Sequence, residues 1–295
     1  MFHNQELKMS LTTHQNTSID VKPIDAHEQL IAMWLDAKSD NTANSYRRYA
    51  NSFLTYLGKP LHLATLADLQ GWRLTLSGKS DNSVKTATAA VKSLFTFAHK
   101  IGVLKVNPGA ALSQVRVKDC LNERILSELE VATMIALETD PRNRLVLRLL
   151  YSGGLRVSEL STLKWKDLKE RGESGQVTVF GKGKKTRTVL LKADVWDELV
   201  KLRGDRRSDD PVFQSRKGGH INRHQLWRIV SAAAKRAGIE GKVSPHWLRH
   251  AHASHSLDRG APIHLVQQTL GHESVATTSR YLHARPNDSS SLYLP

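Results

Sequence analysis

The chain has 295 residues, a single cysteine (Cys120), and 43 Lys and Arg against 28 Asp and Glu, for a formal net charge of +15. One cysteine excludes an internal disulfide and a cysteine-built metal cage. No apolar run reaches the ~18 residues of a membrane span, and the polar stretch Met1 to Asp20 lacks the apolar core of a secretory leader. The basic excess calls for a polyanionic partner. Nucleic acid fits better than an anionic membrane surface, because no basic amphipathic helix with a Trp/Phe face stands out. A reducing, cytoplasmic setting follows. At roughly 150 residues per domain, the length predicts two domains.

In chain order, residues 1–22 are polar and without period, and read as a flexible tail. Residues 23–109 read as a helical domain. Pro23 and Asp25 open a stretch carrying Leu30, Ile31, Trp34 and Leu35. Asn41 or Thr42 is expected to cap a second helix, with Tyr46, Tyr49, Ala50, Phe53, Leu54 and Leu57 on one face and Gly58 and Pro60 as its stop. Thr65 to Leu76 predicts a third helix. Asp81 is expected to cap a fourth, with Val84, Val91, Leu94, Phe95 and Ala98 inward. The Asn107-Pro108-Gly109 turn closes this bundle. Residues 110–122 lack a period and read as a linker. A second domain follows over residues 123–286. Helical patterns cover 127–138, 142–152, 157–163, 194–202, 224–237, 248–258, 262–270 and 277–284. Between Gly172 and Leu191 the period changes to two, with Gly181-Lys182-Gly183-Lys184 between the runs, which predicts a β-hairpin. Residues 287–295 form a short tail. Its Leu292, Tyr293 and Leu294 suit a contact with a neighbouring protomer and equally a frayed end.

Five segments carry chemistry. The run His246-Trp-Leu-Arg249-His250-Ala-His252-Ala-Ser-His255 puts His246 and His250 at i, i+4 on one helix face. A metal reading fails there, because the acidic residue of H-E-x-x-H is missing and Arg249 sets a permanent cation beside the proposed one. His252 and His255 read as satisfied core or surface groups. Gly181-Lys182-Gly183-Lys184-Lys185-Thr186 does not fit a P-loop, since Thr178 stands where the first glycine belongs and Lys185 where Ser or Thr belongs. It reads as a basic turn touching phosphates, with Lys182 able to enter beside one. In Ser152-Gly-Gly-Leu-Arg156-Val-Ser-Glu159, two glycines precede a helix, and Arg156 is either a surface charge or an anion clamp. Gly271 ends a helix, so His272 sits on a short loop. Tyr281, taken alone, reads as core packing.

Together and in this order, Arg156, Lys182, His246-x-x-Arg249, Leu-Gly-His272 and Tyr281 resemble the tyrosine recombinase (phage integrase) family. The forms Gly-Leu-Arg-Val-Ser-Glu-Leu, Gly-Lys-Gly and Leu-Gly-His are similar to its Xer-like and integrase branch. The likeness covers about Glu123 to Arg285. Residues 23–109 are similar to that family's core-binding domain by layout only. The resemblance implies a mainly α fold with a small β-sheet or hairpin in the catalytic domain, the two domains forming a clamp on DNA. It implies DNA recombination and integration by a Tyr281 nucleophile through a 3′-phosphotyrosyl bond.

A phenol with a reference pKa of about 10 needs a base or a strongly cationic site before it attacks. Arg156 and Arg249 suit the nonbridging oxygens, with charge fixed at any working pH. The resemblance implies that His272 donates a further hydrogen bond, that His246 exchanges the nucleophile's proton, and that Lys182 protonates the leaving oxygen. Glu159 and His250 are expected in support. No metal, nucleotide or other cofactor is implied. The implied partners are a double-stranded DNA recombination site and three further recombinase copies on it, as a homo-tetramer or a hetero-tetramer with a related recombinase. Arg47, Arg48, Lys85 and Lys92 in the first domain, and Arg223, His224 and Arg228 in the second, are candidates for DNA contact. The alternatives are a relaxing-only enzyme like a type IB topoisomerase, and a catalytically inactive DNA-binding regulator of the same fold.

Overall fold

The computed structural model describes residues 26–117, 121, 124–181 and 186–282, the side chain of Ala26 excepted. The polar tail 1–22, Pro23, Asp25, Cys120, Lys182 and the turn around it, and the segment 283–295 with Leu292, Tyr293 and Leu294 lie outside the described residues. The chain divides into two compact units, Met1–Lys118 and Asp119–Pro295.

The first unit is helical: α1 (Ala26–Leu35), α2 (Asp40–Leu57), α3 (Leu66–Leu74), α4 (Asp81–Lys100) and the single turn α5 (Pro108–Ala111). The apolar spacing in α2 and α4 produces its core. Phe53 of α2 meets Trp72 of α3 and Phe95 of α4 edge-on, each at 5.5 Å between ring centroids. The two buried indoles satisfy their N–H groups on hydroxyls, Trp72 on Ser52 at 3.3 Å and Trp34 on Ser93 at 3.1 Å. Two caps differ from expectation. Helix α2 starts at Asp40 behind Ser39, two residues before Asn41, and α4 starts behind Ser80 rather than Asp81. In each case an extended serine directly precedes an acid, and the acid joins the first turn, where the helix dipole favours it. The Asn107-Pro108-Gly109 turn continues as α5, and Leu112 is buried in this core, so packed structure runs past Gly109.

The second unit holds α6 (Glu128–Ala136), α7 (Pro141–Tyr151), α8 (Val157–Thr162), a three-stranded antiparallel sheet, and α9 (Ala193–Arg203), α10 (Arg223–Arg236), α11 (Pro245–Asp258), α12 (Ile263–Leu270) and α13 (Val275–Ser279). The sheet order is β1 (Leu168–Arg171), β2 (Ser174–Phe180), β3 (Thr186–Leu191). The expected hairpin is β2–β3, in the register Val177 opposite Val189 and Val179 opposite Arg187. The sequence reading did not contain β1, a four-residue edge strand whose only buried side chain is Leu168. Helix α7 is the centre of the core, with Leu145, Val146, Leu147, Leu149 and Leu150 all buried. Two further boundaries move. Helix α11 begins at Pro245, a favoured first helical residue, rather than at Leu248. Helix α13 ends at Ser279, and Tyr281 lies in the turn after it. Among the described residues no helix is long and apolar enough to cross a membrane.

Candidate active site

The site is built where the start of α8, the first turns of α11, the end of α12 and the turn after α13 come together. The earlier start of α11 matters here, because it places His246, Arg249 and His250 on consecutive turns of one helix. The rings of His246 and His250 are 6.4 Å apart. Nδ1 of His250 meets the Tyr281 hydroxyl at 2.7 Å. On its other side Tyr281 lies nearly parallel to the His272 ring, at 8° and 6.4 Å between centroids. The sequence reading gave the proton-exchange role to His246, whereas the imidazole bonded to the phenol is His250.

Arginines surround the end of α12. Gly271 takes the left-handed conformation there, at φ +62°, and turns the chain toward His272. Three consecutive carbonyls at this end each receive a different guanidinium. Arg187 Nε donates to Thr269 O at 2.7 Å, Arg249 Nη2 to Leu270 O, and Arg156 Nη2 to Gly271 O at 2.8 Å. Cations complement the negative end of a helix dipole, so this is a stable arrangement. Arg249 also donates to the carbonyl of Gly154, which lies in the turn leading into α8. His272 is fixed through Nδ1 on the buried Thr278 hydroxyl at 2.8 Å.

The electrostatics follow from crowding cations into a half-buried space. Burial and the neighbouring Arg156 push Arg249 down to about 9. Burial first, then neighbouring positive charge, hold His250 and His272 at about 4, so both are neutral at pH 7. The same causes, partial loss of hydration followed by Arg249 and Arg156, lower His246. Burial raises the Tyr281 phenol, with Arg249 and Arg280 opposing. Glu159 is the anion of the cluster. Burial disfavours its charge, but hydrogen bonds from Arg187 and the Arg156 backbone N–H outweigh it and hold the carboxyl below its ordinary value. A cleft of about 1000 Å³ opens beside these groups, lined by Arg156, Glu159, Phe180, Arg187 and His272 among others.

The structure thus gathers Arg156, Glu159, His246, Arg249, His250, His272 and Tyr281. Lys182 lies outside the described residues. Sequence reasoning missed one member, Arg187. Arg187 shares the inward face of β3 with Val189 and Leu191, and the one available signal was an Arg five positions after Lys182. His252, expected as a satisfied group, is one: its Nδ1 donates to the Tyr151 carbonyl at 2.7 Å and its ring packs against Gly154. Arg47 and Arg48 on α2, Lys85 on α4, and Arg223, His224 and Arg228 on α10 are exposed. Arg48 lies over the Tyr49 ring at 4.8 Å and donates to its hydroxyl at 3.0 Å. The Lys92 ammonium donates to the carbonyls of Ala110 and Leu112 and so fastens α5. Among the described residues no three His, Cys, Asp or Glu side chains gather as metal ligands.

Residues 123–288 match the phage integrase family. The chain is 32% identical to tyrosine recombinase XerD of Oceanobacillus iheyensis, over 87% of this chain and 93% of that protein. It is 34% identical to tyrosine recombinase XerD of Pseudomonas aeruginosa, over 86% of this chain and 90% of that one. Its fold is similar to that of the XerH site-specific recombinase in a pre-cleavage complex with difH substrate. The TM-score is 0.70 at 22% identity, covering 92% of this chain and 85% of that one.

Proposed function

This chain belongs to the phage integrase family, and we propose that it is a site-specific DNA recombinase that cuts and rejoins two duplex sites through Tyr281. The observation that carries the reading is the Tyr281 hydroxyl, bonded at 2.7 Å to a neutral imidazole within a cluster holding Arg156, Arg249, His246 and His272. A tyrosine that only packs has no need of two arginines and three histidines around it.

The chemistry is a transesterification. The Tyr281 oxygen forms a bond to phosphorus as the bond from phosphorus to the 5′ oxygen breaks. The phenol's proton leaves to the His250/His246 pair, and Lys182 supplies a proton to the departing oxygen. Arg156 and Arg249 balance the extra negative charge on the nonbridging oxygens, and His272 donates one hydrogen bond to them. One phosphodiester is exchanged for one phosphotyrosyl ester, so no nucleotide is consumed. Attack by a 5′-hydroxyl from the other duplex reverses the step and completes strand transfer. Tyr281 is 5% exposed and bonded to His250, so attack requires the segment after α13 to bring the hydroxyl out against the phosphate. Exchange between two duplexes requires four such sites, which supports a tetramer on DNA, either of this chain alone or with a related recombinase. Action on chromosomal or element DNA places the protein in the cytoplasm with the nucleoid.

The test is a nicked suicide duplex carrying a candidate recombination site, incubated with purified protein and resolved on a denaturing gel. A covalent adduct forms with the native chain and is absent with Tyr281→Phe. An adduct that persists in Tyr281→Phe removes the nucleophile assignment.

A further inference from the structure

We propose that Arg187 is a positioning residue for this reaction: it neutralises and immobilises Glu159, so that Arg156 keeps its positive charge and its orientation for the scissile phosphate. The inference rests on the reading of Arg156 as a phosphate clamp.

Both oxygens of Glu159 are fully engaged. Oε1 accepts from Arg156 Nη1 at 2.9 Å and from Arg187 Nη1 at 2.8 Å. Oε2 accepts from the Arg156 backbone N–H at 2.7 Å and from Arg187 Nη2 at 2.8 Å. Arg187 therefore grips the carboxylate with a two-pronged fork, the geometry that only guanidinium supplies. The third nitrogen of Arg187 holds the Thr269 carbonyl. One side chain of β3 thus ties the start of α8 to the end of α12, where His272 follows. Gly271 makes this approach feasible, because a Cβ there would stand 3.1 Å from the Arg187 Cδ.

Exposure separates the two arginines. The Glu159 side chain is 6% exposed and Arg187 12%, while Arg156 is 34% exposed. Arg187 is the inward counterion and Arg156 the outward one. Two guanidinium groups against one carboxylate leave a net positive charge at the cleft. Without Arg187 the trio becomes a neutral Arg156–Glu159 pair, and Arg156 turns toward the carboxylate instead of the DNA. A buried carboxylate with a single cationic partner is also poorly compensated for lost hydration. The groups facing Glu159 are Arg156 from α8, Arg187 from β3, and Arg249 from α11 at longer range. Loss of Arg187 therefore moves the Glu159 carboxyl upward, since burial then has fewer hydrogen bonds opposing it.

The experiment uses the full chain with Arg187→Met and Arg187→Lys. Adduct formation on the nicked duplex falls about 10- to 100-fold in Arg187→Met, the size of effect seen when an outer support of a site is removed. DNA affinity stays within about twofold, because Arg187 touches no phosphate in this scheme. The acid limb of the rate moves to higher pH in Arg187→Met and returns part of the way in Arg187→Lys. In parallel, the Glu159 carboxyl is titrated by NMR without DNA, and its midpoint rises in Arg187→Met. An unshifted carboxyl midpoint with an unshifted pH profile overturns the proposal, even if activity falls. If Arg187→Met does not fold, the same two titrations on Arg187→Lys decide the matter. A native chain that forms no Tyr281 adduct fails the parent reading alone, and the carboxyl titration still decides whether Arg187 governs Glu159.

Discussion

At the scale of single residues, the site's charge comes from guanidinium groups, with the imidazoles kept neutral. His250, His252 and His272 each sit at about 4, chiefly through burial, so at pH 7 they act as hydrogen-bonding partners. This has a consequence for acid stability. An unfolded imidazole titrates near 6.5 and the folded ones near 4, so between these values the unfolded chain binds more protons. Stability is then fully present above about pH 6.5 and is lost as pH falls toward 4, by about 1.4 kcal/mol per pH unit for each histidine inside that window. His252→Asn isolates one contribution, since the amide can still donate to the Tyr151 carbonyl but does not titrate. Urea unfolding between pH 4.5 and 7 is expected to show a slope shallower by about one proton in the variant. Parallel curves would remove His252 from this account. The residue scale is also where the sequence was read most unevenly. His246, Arg249 and His250 were legible because the chemistry lies within five positions of one helix. Arg187 was not, because its partner Glu159 is 28 residues away and only the packing of β3 beside α8 brings them together.

At the scale of elements, local rules located most helices and failed at their ends. Ser127 before Glu128 and Thr65 before Leu66 are capping boxes readable from sequence, with Glu130 and Asp68 closing them. Ser39 and Ser80 were passed over for nearby residues that cap equally well on paper. Strand β1 was illegible because one buried Leu in four residues sets no period. The turn into α8 shows what an element boundary does for the site. Gly154 has φ +57°, and a Cβ there would lie 2.9 Å from Leu270 and 3.0 Å from His252. Its carbonyl receives Arg249. Gly58, at φ +61° with open space around it, is the natural control. Gly58→Ala is expected to lose about 1–2 kcal/mol for the left-handed backbone alone. Gly154→Ala carries that loss plus about 1–3 kcal/mol of crowding, and it slows adduct formation by shifting the Gly154 carbonyl that Arg249 grips. Equal losses in thermal or urea unfolding would mean the turn relaxes freely and does not fix Arg249.

At the scale of the whole molecule, the fold class and the family were legible because the chemistry recurs in a fixed order along the chain, while the distribution of charge gave only a class of partner. Up to Asp119 there are 14 basic and 9 acidic residues, and from Cys120 onward 29 and 19, so each part carries a positive excess. Phosphate contacts release counterions, and each one adds about 0.9 to the steepness of log affinity against log salt. A clamp with several such contacts therefore weakens by orders of magnitude between low and moderate salt. The candidates for this role differ in what their side chains touch. Arg223 and Arg228 are exposed on α10, five residues apart, with the exposed Trp227 beside Arg228. Lys92 has its ammonium on the Ala110 and Leu112 carbonyls. In fluorescence anisotropy across a salt series, Arg223→Ala and Arg228→Ala are each expected to reduce the slope by about 1 with the same loss on every DNA sequence. Lys92→Ala is expected to leave the slope unchanged and to lower the unfolding temperature of the first unit instead. An unaltered slope in the α10 variants would take that helix off the DNA. A reduced slope in Lys92→Ala would mean that the ammonium exchanges its carbonyls for a phosphate when DNA arrives.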